Sequence, residues 1–293
     1  MRGSIRVSEK VFILIFTLFI NLSVTGCYKA PPRLPYRVEE LERLMEQAER
    51  AALREEHERA IVLYRDALKK ARLIQDDRTS LIALINLSRL LSKTGHLKEA
   101  EEVIDTAKDL KARTRLPREL LEEADLEEAR IALLGGRHDA SEAIVMRLIN
   151  SSELNIRIKA LNLLSRLCIQ RTRYQDALVY LKKALEINKG TLRLEEANSH
   201  RLLGVLYIEA GDSILDFPQA ESALRQALEI DRSLGLPEKI GLDLEVLGRL
   251  YMDTGDIVRA REYLSRSLEI WHLRQDNERA ETILRLLGEI KDR

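Results

Sequence analysis

At 293 residues, 33% charged and 45% hydrophobic, with a formal net charge of zero at pH 7, the chain is long enough to bury a sizeable core. It lacks the cationic surplus that non-specific nucleic-acid binding requires, and its 2 cysteines cannot build a disulfide framework. Three of the 4 Phe (Phe12, Phe16, Phe19) precede residue 20, which sets the N-terminus apart from the rest of the chain.

Arg2, Arg6 and Lys10 lead into an apolar run from Val11 to Ile20 broken only by Thr17, the three-part pattern of a secretory signal peptide. The run is shorter than the ~20 residues that span a bilayer, which weighs against an uncleaved anchor helix. The tetrad Val24-Thr25-Gly26-Cys27 then resembles the bacterial lipobox, although Leu is commoner than Val at its first position. That resemblance implies cleavage after Gly26, a diacylglyceryl group on Cys27 and a further acyl chain on the new amino group. Two or more chains anchor a protein stably where one is marginal, so the expected mature protein is tethered and does not span. Tyr28 stands where an Asp would favour the inner membrane. The expected location is therefore the outer membrane, facing the periplasm, with an inner-membrane lipoprotein as the alternative. Residues 1–26 read as the leader and residues 27–36, with Pro31, Pro32 and Pro35, as an extended spacer. Loss of the leader leaves a net charge of about −2, because it removes three basic residues and one acidic.

From Arg37 to the end, apolar residues recur with the three- and four-residue period of amphipathic helices. The clearest unit, Ile158 to Lys189, returns at Gly241 to His272. Leu161, Leu164, Ser165, Cys168, Ala177, Leu181 and Ala184 match Leu244, Leu247, Gly248, Tyr251, Ala260, Leu264 and Ser267. Polar breaks at Thr172 and Gly255 divide each unit into a helical hairpin. Small residues at Ser165, Gly248, Ala177 and Ala260 mark where two helices approach within roughly 8 to 10 Å. A hairpin of this size cannot bury its own apolar face, so the repeat predicts a stack. These positions, with Leu203, Gly204, Tyr207, Leu224 and Ala227 in the intervening copy, resemble the tetratricopeptide repeat (TPR). The resemblance implies an all-α, TPR-like alpha-solenoid over residues 37–293, coiled into a right-handed superhelix.

Six alanines serve as a ruler: Ala60, Ala100, Ala140, Ala177, Ala220 and Ala260, spaced 40, 40, 37, 43 and 40 residues apart. The common period of this family is about 34, so longer helices or links are expected. The third copy, Leu121 to Leu148, is the most degenerate, and its Gly135-Gly136 break sits about one residue out of register. In the fifth, Phe217 takes the place of Tyr174 and Ile257, leaving Ser213 to Asp216 as a projecting bulge. Leu284, Leu287 and Gly288 restart the first-helix pattern as a terminal cap, with Trp271 buried against it. The expectation is about six helical hairpins plus a C-terminal cap helix.

No Gly-rich phosphate loop, HExxH helix or CxxC pair occurs, and no catalytic, cofactor or metal residue is expected. His57, His96 and His138 lie three, four and two residues before their alanines, so they read as solvated turn residues and not as a ligand set. Cys168 falls where other copies have Leu91, Tyr207 and Tyr251, and reads as a packing thiol. One recurrence goes beyond packing. Arg89, Arg130, Arg166 and Arg249 each follow the small residue of a first helix, and the TPR resemblance places that position on a concave groove. Arg201, Asn162 and Asn198 would add to the same surface. Arg249 has Glu245 and Asp253 within its own helix to pair with, whereas Arg89 and Arg166 have no acidic residue three or four positions away. A guanidinium-lined groove suits an acidic peptide, a chain-terminal carboxylate or an anionic polymer. The row departs from the Lys and Asn pattern of the chaperone-binding carboxylate clamp, so that ligand is not carried over. The expected function is a non-catalytic, lipid-anchored adaptor holding a protein or peptide partner in an envelope assembly. Candidates are outer-membrane protein assembly, a pilus or secretion system, or a cell-wall enzyme. The alternative is anionic-polysaccharide binding or export, and neither nucleic acid nor a small-molecule substrate is expected.

Overall fold

A computed structural model describes residues 36–211 and 216–291. The expected leader, the expected lipidation site Cys27, nearly all of the expected spacer, and Ser213 to Leu215 of the expected bulge lie outside the described residues. The chain forms two compact units, Met1–Arg43 and Leu44–Arg293. Of the first, residues 36–43 are described and form the start of a helix.

Thirteen helices and no strand occur among the described residues. They are α1 (Tyr36–Leu53), α2 (His57–Leu73), α3 (Asp77–Lys93), α4 (Leu97–Arg113), α5 (Arg118–Leu134), α6 (His138–Leu148), α7 (Leu154–Gln170), α8 (Tyr174–Asn188), α9 (Arg193–Ala210), α10 (Phe217–Ser233), α11 (Pro237–Asp253), α12 (Ile257–Leu273) and α13 (Asn277–Lys291). In chain order they are the six expected hairpins, with α13 as the cap.

The 40-residue step has a simple origin. Eight of the links are three residues long, and in each the middle residue has positive φ: Glu55, Gln75, Gly95, Gly136, Thr172, Gly235, Gly255 and Gln275. The third residue then donates its N–H to the carbonyl five residues back, as Glu56 does to Ala51 (2.9 Å), His96 to Leu91 (2.8 Å) and Asp276 to Trp271 (3.0 Å). This left-handed cap satisfies carbonyls that a helix end would otherwise leave orphaned. It closes first and second helices alike, so a 17-residue helix and a three-residue link, taken twice, give the step of 40.

The third hairpin corrects the ruler. Its link is three residues long like the others, so the fourth residue of α6, where its sisters carry Ala60, Ala100, Ala177, Ala220 and Ala260, is Ser141 and not Ala140. Ser141 is fully buried, with its hydroxyl donating to the Ala129 carbonyl at 2.8 Å, while Ala140 is exposed. The same shift revises the histidines. His57 and His138 both open a second helix, in the half-buried place that Leu97, Tyr174, Phe217 and Ile257 hold elsewhere. They are packing residues of the repeat, and only His96 is an exposed turn histidine.

The helix crossings need small residues. A β-carbon added at Gly204 would lie 2.4 Å from Leu224 Cγ, and one at Gly248 would lie 2.6 Å from Leu264 Cγ. Ser88 and Ser165 fill the same place in other copies, their buried hydroxyls donating to the carbonyls of Ile85 (2.9 Å) and Leu161 (2.7 Å). Trp271 is buried against Ile283 and Ala280 of the cap, and its indole N–H reaches Ser267 Oγ at 3.0 Å.

Helices α3, α5, α7, α9 and α11 each pack on the next first helix along, and α11 reaches the cap. The second helices make their main contacts with chain neighbours. First helices therefore form the inner layer of a curved stack and second helices the outer. Within Leu44–Arg293 the curve returns on itself: Lys93 Nζ at the end of α3 lies 2.5 Å from Glu238 Oε2 at the start of α11.

Candidate functional site: the inner face

Each first helix presents a line of polar side chains to the next. Arg89 of α3 reaches one hairpin on to α5, where Glu123 lies at 2.9 Å and Glu127 at 3.4 Å. Arg130 donates to the same Glu127 from within α5 (Nε, 3.0 Å) and to Ser92 Oγ of α3 at 2.6 Å. Glu127 is thus held between two guanidiniums, which is what allows its side chain to be only 2% exposed. Asn162 donates to Glu195 Oε2 of α9 at 3.1 Å and accepts from Ser199 Oγ at 2.7 Å. Asn198 donates to Glu195 at 3.2 Å and accepts from Arg201 at 2.8 Å. Arg249 approaches Glu209 of α9 at 3.7 Å.

Arg201 is the most buried of the row. Its Nε donates to Asp243 Oδ1 at 2.6 Å and its Nη2 to Asp231, so α9, α10 and α11 meet at one guanidinium. Both carboxylates are 0% exposed. One cation cannot balance two buried carboxylates, and each acid keeps one oxygen, Asp231 Oδ1 and Asp243 Oδ2, buried without a hydrogen-bond partner. Burial, outweighing Arg201, raises both, and Asp243 is pushed up to about 7.

Arg166 differs from all of these. It has no hydrogen-bond or ion-pair partner among the described residues, and it is exposed. Its guanidinium is nonetheless held below the ordinary range, first by burial and then by the positive charges of Arg130 and Arg201, which the more distant Glu195 only partly offsets. The side chain keeps accessible surface because protein surrounds it on the inside of the curve without covering it. Lys239 in the first turn of α11 is likewise without such a partner, and is lowered by burial and then by Arg201, with Arg166 contributing. Four cations, Arg130, Arg166, Arg201 and Lys239, sense one another across this face, and two of them lack a paired anion.

The structure gives most of the residues singled out in the sequence a partner. Arg89 and Arg130 meet at Glu127, while Asn162, Asn198 and Arg201 form a second network with Glu195, Asp231 and Asp243. Arg249 has Glu209 nearby, and Arg166 has no paired anion among the described residues. Lys239 is missed, because it lies where other copies have Thr79, Ile156 and Glu195, and no repeat pattern points to it. Cys168 is fully buried, and burial pushes its thiol up to about 11, consistent with packing alone. Among the described residues no group of three His, Cys, Asp or Glu could hold a metal ion, and no helix is long and apolar enough to cross a membrane.

A tetratricopeptide repeat family model matches residues 156–233. Comparison with curated proteins finds no match. Among solved structures, the fold is similar to BtubC from P. vanneervenii, at 22% identity and a TM-score of 0.54 over 80% of this chain and 92% of that one. It is also similar to the apo form of RapI (12%, 0.57, over 86% and 71%). A third is PilW, described as a widely conserved type IV pilus biogenesis factor (15%, 0.55, over 83% and 98%). Repeating hairpins, small residues at the helix crossings and the family match at residues 156–233 converge: the described residues form an all-α solenoid of tetratricopeptide-repeat type.

Proposed function

We propose that this protein is a lipid-anchored scaffold of the bacterial envelope, whose inner face holds an acidic segment of a protein partner and performs no chemistry. The observation that carries the reading is Arg166, a cation left without a paired anion on a face where the other arginines have carboxylates beside them. A partly desolvated guanidinium gains from each charge-assisted hydrogen bond it forms, typically ~1.5 to 3 kcal/mol, and a ligand carboxylate is the natural source of that gain. Lys239 supplies a second free charge, while Arg89, Arg130, Asn162, Asn198, Arg201 and Arg249 frame the site. The anchor rests on the leader-like residues 1–26 and on Cys27. An envelope role is in keeping with the shared fold of the pilus biogenesis factor PilW.

Crosslinking and affinity purification of the membrane-anchored protein from its own host tests this, with Cys27→Ser and Arg166→Glu as controls. The expected result is one envelope assembly, lost when the anchor is lost and lost again when Arg166 is reversed in a chain of unchanged helicity. Recovery unaffected by Arg166→Glu would remove the inner face from consideration. The same free cations also fit the carboxylates of an acidic polysaccharide. That reading takes over if no protein is enriched and an acidic glycan is retained with steep salt sensitivity.

A further inference from the structure

Within Leu44–Arg293 ion pairs join the first two hairpins to the last. Lys93 Nζ is 2.5 Å from Glu238 Oε2, across 145 residues of sequence. Arg274, in the link between α12 and α13, pairs with Glu55 in the link between α1 and α2, and its other nitrogen lies 3.7 Å from Glu238. Its guanidinium sits over the Trp271 ring at 5.7 Å, which aims it at this junction. His57, the first residue of α2, completes the group, and its Nδ1 is buried without a partner. The hairpin-to-hairpin interfaces elsewhere bury Leu, Ile, Ala and Tyr in two apolar clusters. One covers the first three hairpins, the other runs from the third to the cap, and they share α5. Neither cluster bridges Glu55 and Arg274. The stack is held by apolar burial, whereas the meeting of its ends is polar and reversible.

We propose that Glu55, His57, Lys93, Glu238 and Arg274 form a pH-sensitive clasp that closes one turn of the solenoid and releases on acidification. His57 faces four charges: Lys93 and Arg274 oppose its protonation, Glu55 and Glu238 favour it, and burial, the largest influence, opposes it. Its pKa is therefore lowered in the closed state. On release the ring becomes solvated and returns toward the ordinary value of about 6.5, so the open state binds protons more readily. Closure is fully supported above that ordinary value and weakens as pH falls below it. Glu238 acts in the same direction. Burial raises its carboxyl, but Lys93 and neighbouring cations outweigh this and hold it below the usual range, so protonation at low pH removes a partner that closure needs. Release would uncover the inner face, although the clasp itself does not depend on what that face binds.

Spin labels at Glu58→Cys and Glu278→Cys, both exposed and close in sequence to Glu55 and Arg274, report the end-to-end distance in the full chain. The buried Cys168 stays unlabelled. A single short distance is expected at about pH 8, giving way to a longer one at about pH 5, the range in which a histidine changes charge. Glu238→Lys should lengthen the distance at the higher pH, Lys93→Glu combined with Glu238→Lys should restore a short one, and His57→Gln should blunt the response to acid. A distance that stays short in the unsubstituted chain from about pH 8 to 5 overturns the proposal whatever the variants do. So does a short distance in a folded Glu238→Lys protein. No ligand enters the assay, so its failure would leave the inner-face reading untouched.

Discussion

The same repeat position should respond to the same substitution with opposite signs. Gly204 and Gly288 both stand at the small place of a first helix, but only Gly204 has a second helix crossing it. A β-carbon at Gly204 would lie 2.4 Å from Leu224 Cγ and Cδ2 and 2.7 Å from Cδ1. Carbon atoms ordinarily rest about 3.5 to 4.0 Å apart, so the leucine or the helix must move by about an ångström. Leu224 is fully buried and has nowhere to go. Overpacking of this kind costs about 1 to 3 kcal/mol, against about 1 kcal/mol recovered by replacing Gly with Ala in a helix. Gly204→Ala should thus destabilise by up to about 2 kcal/mol, or a few degrees in Tm for a domain this size. At Gly288 a β-carbon would meet nothing within 4 Å, since among the described residues no second helix crosses α13 there. Gly288→Ala should therefore stabilise, by about 0.5 to 1 kcal/mol. Thermal and urea unfolding followed by circular dichroism decides the matter, with hydrogen exchange locating the change within the stack. A Gly204→Ala that stabilises as much as Gly288→Ala, or a Gly288→Ala that loses stability, would refute the assignment of these positions.

The buried charges give further expected outcomes. Arg201→Met should cost about 3 to 5 kcal/mol in urea unfolding, since it strands two buried carboxylates. Because Asp243 holds its proton more tightly folded than unfolded, its contribution is complete at acid pH and is lost as pH rises through about 7, so stability differences between the parent and Asp243→Asn should track that window. Arg166→Met should leave Tm unchanged or raised, as it relieves repulsion from Arg130 and Arg201. Arg130→Met, which removes a partner of Glu127 and Ser92, should lower it. Equal losses in the two would argue that Arg166 has a partner after all. Cys168 should resist thiol reagents in the native protein and react at full stoichiometry in denaturant. Rapid native labelling would contradict its burial.

The hairpins are legible in the sequence because helix periodicity and small residues at crossings are local signals. The match of Phe217 to Tyr174 and Ile257, and of Trp271 to the cap, rests on nothing more. The register of the third copy fails because an alanine ruler sees Ala140 and passes over Ser141, whose hydroxyl reaches a backbone carbonyl and so can be buried like a methyl group. The pairing of the arginines is hidden for a different reason. Carboxylates three or four residues away are the only partners a single helix can disclose, and Arg89 has none. Its actual partners, Glu123 and Glu127, lie a whole hairpin further on, where only stacking brings them within reach. Lys93 and Glu238 are separated further still, and nothing local in either stretch hints that they meet.

The closure of the turn also bears on how such an array can change its length. Since one type of cap joins first to second helices and second to first, a duplication or loss of 40 residues would splice in with no new turn chemistry, and an open stack would accommodate it. Here Lys93 belongs to the second hairpin and Glu238 to the sixth. One unit more or fewer would carry Glu238 and Arg274 a full repeat away from Lys93 and Glu55, and neither contact could form. The number of hairpins between these paired residues, arbitrary in an open array, is thus fixed here by geometry.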